Sequence, residues 1–509
     1  MRLALSLAAA TLMTGLGVGS GVPAAQAASL AVGPGKMYAA PCAAFAAASD
    51  GDTVQIDAAG SYAGDVCSIG KNNLTIRGVG GGRAHIDAAG KNAGGKGTWV
   101  ITGNNTTVEN VELSGATVVD QNGAGIRQEG TNLTIRNCFF HDNDDGILVS
   151  PNTASDVLIE RSEFGHNGFG DGFSHNMYIG KVRKFTLQFS YTHHAKIGHN
   201  VKTRANENHI LYNRIMDEID GTSSYSVDVS NGGTTFLIGN LIQQGLHTDN
   251  PTIVAYGAEG ISNGGSDLYV VGNTFVNDMK GGTFLQMAAG ASRAIVRDNI
   301  FLGMATVITQ PEADLSTDYT GLDPQLVDRT GFDYHLRAGS PCVNAGSDPG
   351  MSVGGVSLAP LFQYVHPLMS EARPVVGVID IGAYELPGGA STDAADASPG
   401  DGRPADGDGD GLSDGAADGA AGGSGGGGFG GFGTGDGSGA GGSFGGGEVA
   451  GGSGFDAGGG CGCSAAAARG GGVNQRAAGD VLAVVFFVIL GTATTRTRRR
   501  RRPVSDRRS

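Results

Sequence analysis

The sequence predicts an all-β solenoid, and two observations carry that expectation. A pattern of alternating apolar positions, one polar residue and an apolar pair recurs as TVENVEL, TIRNCFF, LIERSEF, LQFSYTH, ILYNRIM, LIGNLIQ, VVGNTFV and VRDNIFL. Its polar position falls at Asn110, Asn137, Ser162, Ser190, Asn213, Asn240, Asn273 and Asn299, a drifting period near ~25 residues. Each unit holds two or three short strands and no helical period, so it cannot bury its own apolar face and must stack on its neighbours. The recurrent Asn suits a scaffold ladder at a turn, where side-chain amides bond from coil to coil and tolerate left-handed backbone.

The elements follow in order. Residues 1–27, MRLALSLAAATLMTGLGVGSGVPAAQA, have Arg2, an apolar run and a small-residue end at Ala25-Gln26-Ala27, the layout of a secretory signal peptide. Export makes Cys42 and Cys67, close in sequence within the N-terminal cap, candidates for a disulfide; two free thiols are the alternative. Cys138 and Cys342 sit in apolar surroundings and are expected to be buried. A short amphipathic helix and the GDTVQI strand open the folded part, and the repeat then runs to about residue 387. These repeats resemble right-handed parallel β-helix proteins, the fold of pectate lyases and many other polysaccharide-acting enzymes. The resemblance covers residues 29–387, and YHLRAGSPCVNAG and VIDIGAYE are similar to the closing segments of bacterial members.

After Pro387 the composition breaks. Residues 388–478 are Gly, Ala, Asp and Ser with isolated Phe, and read as a disordered linker. Within it Asp406, Asp408, Asp410 and Asp414 are spaced like the start of a calcium loop, but Ala417 occupies the twelfth position, so a solvated acidic linker is the better reading. Residues 479–509 carry a short apolar run, VLAVVFFVILGTATT, and then RTRRRRR, which reads as a transmembrane helix with a cytoplasmic Arg block. Together with Cys461 and Cys463 this tail resembles the C-terminal sorting signals of myxobacterial surface proteins, which implies processing near those cysteines and delivery to the cell surface. A long polar spacer after Cys463 and the extra PVSDRRS depart from that pattern. The net charge of −15 over 509 residues gives no reason to expect a nucleic-acid partner, and a monomer is expected.

Residues 173–230 concentrate the reactive side chains, including five of the eleven histidines. Strict in–out alternation puts Ile126, Ile147, Met177, Val201, Val227, Ile253 and Phe284 inward, followed by Gln128, Val149, Ile179, Thr203, Val229, Ala255 and Gln286. The outward columns are then Arg127, Leu148, Tyr178, Lys202, Asp228 and Val254; beside them Glu129, Ser150, Gly180, Arg204, Ser230 and Tyr256; and on the other side Gly125, Gly146, Asn176, Asn200, Ser226 and Thr252. His175 and His199 stand at strand entrances. Lys202, Arg204, Tyr178 and His199 are the candidate catalytic residues, and Asn176, Asn200, His175 and Asp228 the candidate substrate contacts.

Abstracting the C5 proton of a uronic acid needs a base and positive charge on the carboxylate, because the developing carbanion delocalises there. A Lys next to a guanidinium can act as that base. HNVKTR resembles, loosely, the Lys and Arg pair of β-helix polysaccharide lyases of the chondroitinase B and alginate lyase type, where the Arg tends to come from another coil. The resemblance implies an acidic polysaccharide or cell-envelope glycan as partner, Lys202 as base, Arg204 and Asn200 on the carboxylate, and Tyr178 or His199 as proton donor. Calcium stays open as a cofactor. A non-catalytic glycan-binding or adhesive face is the alternative, as is a glycoside hydrolase using Asp144, Asp145, His199 and Lys202. No metal site is assigned, because no short ligand spacing such as HExxH occurs and adjacent His193 and His194 rarely converge on one ion.

Overall fold

The computed structural model describes residues 27–374 and 376–388. The expectations for residues 1–26, most of the linker, Cys461, Cys463 and the apolar tail fall outside the described residues. Among the described residues, thirty-two short strands assemble three parallel sheets, one of twelve strands and two of ten. Each coil adds one strand to each sheet, so successive strands of a sheet come from successive coils. This is the expected right-handed parallel β-helix. A parallel strand needs a crossover, and here the crossover is the other two sides of the coil.

The interior follows from the repeat. One apolar column per sheet faces inward, for example Ile76, Val108, Ile135, Ile159, Leu187, Ile210, Leu237 and Val270 in the twelve-stranded sheet, all buried. Like residues stack along the axis, as in Phe140 on Phe164 (ring centroids 4.7 Å) and Phe275 on Phe301 (5.1 Å). At the N-terminal end the helix Pro41–Ala47 begins on proline, which suits a first turn whose N–H groups lack intrahelical partners. It packs Phe45 edge-on against Trp99, and Cys42 is disulfide-bonded to Cys67. At the other end the chain returns over the outside of the twelve-stranded sheet. There Leu358 is buried against the aromatic stripe of Phe189, Tyr212, Phe236 and Tyr269. A buried Arg373–Glu385 pair at 3.0 Å closes this segment. Cys138 and Cys342 are buried, and burial pushes their thiols up to about 12 and about 11.

The polar repeat position becomes an internal ladder. Backbone N–H groups donate in series from Ser162 to Ser190 Oγ (3.2 Å), Ser190 to Asn213 Oδ1 (2.9 Å), Asn213 to Asn240 Oδ1 (2.9 Å), Asn240 to Asn273 Oδ1 (2.9 Å) and Asn273 to Asn299 Oδ1 (3.0 Å). Asn110 and Asn137 are not part of it. The repeat slips by one residue, so that Cys138, not Asn137, stands level with Ser162. Asn110 and Asn137 instead take the left-handed corner one position earlier, at φ +57° and +50°.

Two further sequence expectations are corrected. Val254, not Ile253, stacks on Val227, and Leu285 on Val254, so Ala255 stands outward beside Asp228, Tyr256 turns inward and Gln286 is exposed. Asn176 and Asn200 are wholly buried. Strict alternation fails at a coil corner, where the corner residue and the first strand residue both face inward. Ile253 and Val254, consecutive within the strand Thr252–Tyr256, are likewise both in the core.

Asn240 Nδ2 donates to the Ile210 carbonyl (2.8 Å) and to Asn273 Oδ1 (3.0 Å), while its Oδ1 accepts from Asn213. Asn240→Ala strands several of these groups in a dry interior, at about 1–3 kcal/mol each. Urea unfolding is expected to show a loss of at least about 3 kcal/mol. Asn104→Ala, in an exposed amide contact with Asn72, is expected to change stability by less than about 1 kcal/mol.

Candidate functional site

The site lies on the outer face of the sheet formed by Asp145–Val149, Met177–Ile179, Val201–Thr203, Val227–Val229 and Thr252–Tyr256. Each of these strands keeps its inward positions apolar or hydrogen-bonded, which leaves the intervening residues outward. Tyr178 pairs with Lys202, and Lys202 with Asp228, so the three stand in one outward column as the sequence predicts. Arg204 follows at the end of its own strand. Its Nε donates to the Tyr178 hydroxyl (2.7 Å).

Two residues that the sequence reading missed complete the cluster. Arg204 Nη1 donates to Asn231 Oδ1 (2.8 Å), and Arg204 holds the Glu259 carboxylate through both terminal nitrogens, Nη1 to Oε2 and Nη2 to Oε1 (2.8 Å). Lys202 Nζ lies 3.2 Å from Glu259 Oε1 and 3.5 Å from Asp228 Oδ2. Both cations also lie near the Tyr178 ring, at 5.7 and 5.5 Å from its centroid. Glu259 arrives on the segment between Tyr256 and Leu268. The signal for it was present: the 33-residue interval from Asn240 to Asn273 is the longest of the series. An insertion in one repeat becomes a loop on one face, often the binding face.

A second column runs along the strand entrances. The His175 N–H donates to Asp145 Oδ1 (2.7 Å), the His199 N–H donates to His175 Nδ1 (3.0 Å), and the His175 and His199 rings lie 4.6 Å apart. His199 Nδ1 is 3.3 Å from Asp228 Oδ2, an ion-pair distance without aligned hydrogen-bond geometry. Burial lowers the His199 pKa, against the opposing pull of Asp228, so the ring is neutral at pH 7. Burial also sets His175 well below the usual value, helped by the neighbouring His199 ring and the Lys202 and Arg204 charges. Burial alone would raise Asp228, but His199, Lys202 and the Ser230 hydroxyl (2.7 Å) outweigh it and keep the carboxylate ionised. At Asp145 burial outweighs the His175 N–H and the Arg127 charge and pushes the carboxyl up to about 8, which makes it neutral at pH 7.

Of the sequence-predicted residues, the structure brings together Tyr178, Lys202, Arg204, Asp228, His175 and His199. It separates Asn176 and Asn200 from them. Those two belong to an internal amide chain in which Asn143 Nδ2 donates to Asn167 Oδ1 (2.9 Å), Asn167 Nδ2 to Asn176 Oδ1 (3.0 Å) and Asn176 Nδ2 to Asn200 Oδ1 (2.8 Å). Neither can reach a ligand outside the coil. Asp144, a candidate for hydrolysis, accepts the backbone N–H groups of Val118 (2.9 Å) and Gly123 (3.0 Å) and holds their loop.

No protein family matches the chain, and no curated protein matches it. Among solved structures, the crystal structure of pectate lyase Pel9A is similar at a TM-score of 0.49 and 13% sequence identity, over 71% of this chain and 96% of that one.

The buried imidazole gives a pH signature. His175 is deprotonated when folded but titrates near ~6.5 when unfolded, so its neutral burial is favourable above ~6.5 and is lost as pH falls. Between pH 7 and 5 this costs at most about 2 kcal/mol, the ceiling set by the titration of the unfolded ring. Asp145, with its folded pKa raised to about 8, has the opposite slope in that window, so the wild type alone is ambiguous. Urea unfolding at both pH values is therefore compared with His175→Asn, which keeps an acceptor for the His199 N–H. The variant is expected to lose less stability than the wild type on acidification, by at most about 2 kcal/mol.

Proposed function

We propose that this face binds an acidic polysaccharide, seating a uronate carboxylate where the Glu259 carboxylate now lies, and cleaves it by β-elimination. One observation carries the reading. Arg204, Lys202 and the Tyr178 ring form a cradle already fitted to a carboxylate, with two guanidinium N–H groups and an ammonium converging on it. Bidentate guanidinium contacts are the geometry that recognises carboxylates. Lys202 and Arg204 are matched one for one by Asp228 and Glu259, so a ligand must displace Glu259 to gain both cations.

The roles follow from these partners. Lys202 stands between two carboxylates, which suits it to neutralising charge, so the base is assigned to His199. Asp228 faces its Nδ1 and leaves the Nε2 lone pair for the C5 proton. The C–H electrons become the C4–C5 double bond as the C4–O4 bond breaks, and the Tyr178 hydroxyl protonates the departing oxygen. Arg204, which donates to that hydroxyl, and Lys202 stabilise the charge that builds on the carboxylate. The Cys42–Cys67 disulfide supports an exported protein, consistent with a substrate outside the cell.

Incubating the purified protein with pectate, alginate and glycosaminoglycans, while following absorbance of the unsaturated product, tests the reading. Cleavage of at least one glycan is expected, with kcat reduced at least about a hundredfold in His199→Ala. Glu259→Gln is expected to tighten substrate binding about tenfold, or 1.4 kcal/mol. No product on the whole panel overturns the elimination. Glycan binding that competes with Glu259 but yields no product would favour a non-catalytic binding face.

A further inference from the structure

On a different sheet, the strands Glu163–Gly165 and Tyr191–His193 bring three histidines together. One ring nitrogen from each of His166, His193 and His194 lies within 4.8 Å of the others. The sequence reading set adjacent His193 and His194 aside, since neighbouring histidines rarely converge on one ion. His194 instead occupies a left-handed corner, φ +50°, and His166 the equivalent corner one coil earlier, φ +56°. The turn swings the adjacent rings onto one face, His193 Nδ1 and His194 Nδ1 being 2.7 Å apart.

Carboxylates lie near the outer nitrogens of both rings. A neutral imidazole has one N–H and one lone pair, and a carboxylate offers only lone pairs. His194 Nε2 lies 3.1 Å from Asp220 Oδ1, and His193 Nε2 lies 3.5 Å from Glu163 Oε1. The His194 Nε2 is therefore the N–H and its Nδ1 a lone pair facing the His193 Nδ1, while the His193 Nε2 makes no hydrogen bond to Glu163. A cation shared by the rings would take that Nδ1 lone pair. Carboxylates on the far nitrogens are the usual outer shell of metal-bound histidines, fixing the tautomer and the ring orientation. The His193 ring is held in place: it stacks on Tyr191 (4.2 Å) and lies over Gly165, where a Cβ would come within 2.4 Å of its Cε1.

A second trio on the same sheet makes the contrast. There His85 Nε2 is taken up by the Ser114 hydroxyl (2.7 Å), and His141 by carboxylates on both ring nitrogens, Asp142 Oδ2 at Nδ1 (2.8 Å) and Glu112 Oε1 at Nε2 (3.1 Å), so the ring nitrogens that could face a cation are already partnered.

We propose that His166, His193 and His194 bind a divalent transition-metal ion of the zinc class through three imidazoles, with Glu163 and Asp220 behind the ligands and an open fourth position toward solvent. Neutral imidazoles select zinc, copper and nickel over calcium and magnesium. Closing on zinc at about 2.0–2.1 Å needs the three nitrogens to gather by side-chain rotation; His166 is exposed and free of the core.

The test is zinc titration of the chelator-stripped full chain, by calorimetry with elemental analysis, in a Cys461→Ser, Cys463→Ser background that removes competing thiolates. One equivalent is expected to bind, to be lost in His166→Ala, and to weaken about ten- to a hundredfold in Glu163→Gln. His85→Ala is expected to bind as the parent does. No stoichiometric zinc overturns the proposal and leaves a shared proton between the two Nδ1 atoms. Binding that survives both His166→Ala and His194→Ala overturns it equally. Because His166 is exposed, its substitution leaves the fold intact and keeps the outcome readable.

Discussion

The amide chain from Asn143 through Asn167 and Asn176 to Asn200 is the interaction on which the outer face depends. Each amide both donates and accepts within the coil interior, where an unpaired polar group would cost about 1–3 kcal/mol. A one-residue slip between coils would break the chain and turn the outward column inward. The register that places Tyr178 beside Lys202, and Lys202 beside Asp228, is thus held from behind by groups that never touch a ligand. The central column is rigid for the same reason: Tyr178, Lys202 and Asp228 sit on strands bonded on both sides, a better support for precise geometry than a loop.

The electrostatics of that face are local and nearly balanced. Two cations meet two carboxylates, and a neutral imidazole pair and a neutral carboxyl lie beside them at the strand entrances. Burial sets the neutral groups, Asp145, His175 and His199, while direct pairing keeps Asp228 charged. Of the two anions, Asp228 is fixed on its strand and buried, whereas Glu259 is carried by a loop and is more accessible. This asymmetry makes Glu259 the group that an incoming carboxylate can replace, and Asp228 the one that stays to orient His199.

Much of the fold was legible in the sequence because stacking forces the same in–out pattern on every coil. The column of Tyr178, Lys202 and Asp228 could be read for the same reason. Legibility ended where the chain turns. Asn176 and Asn200 precede their strands at corners, where two consecutive residues face inward, and alternation misplaces them. Ile253 and Phe284 lie within strands, but the ladder pairs Thr252 with Thr283 and Val254 with Leu285 and passes over both, so they too break the alternation. The opposite error hid the histidine trio: a left-handed residue puts neighbours on one face, and nothing in the letters His193-His194 reveals φ. Glu259 was invisible for another reason, since a loop's landing place depends on tertiary contacts, although the lengthened repeat marked which coil carried it.

The central claim is that the Glu259 carboxylate occupies a seat built for a ligand's carboxylate. A crystal structure of the protein with a uronate oligosaccharide tests it most directly. The account predicts the sugar carboxylate between Arg204 and Lys202, with Glu259 displaced and the Tyr178 hydroxyl near the glycosidic oxygen. An oligosaccharide bound elsewhere, with Glu259 still paired to Arg204, would contradict it.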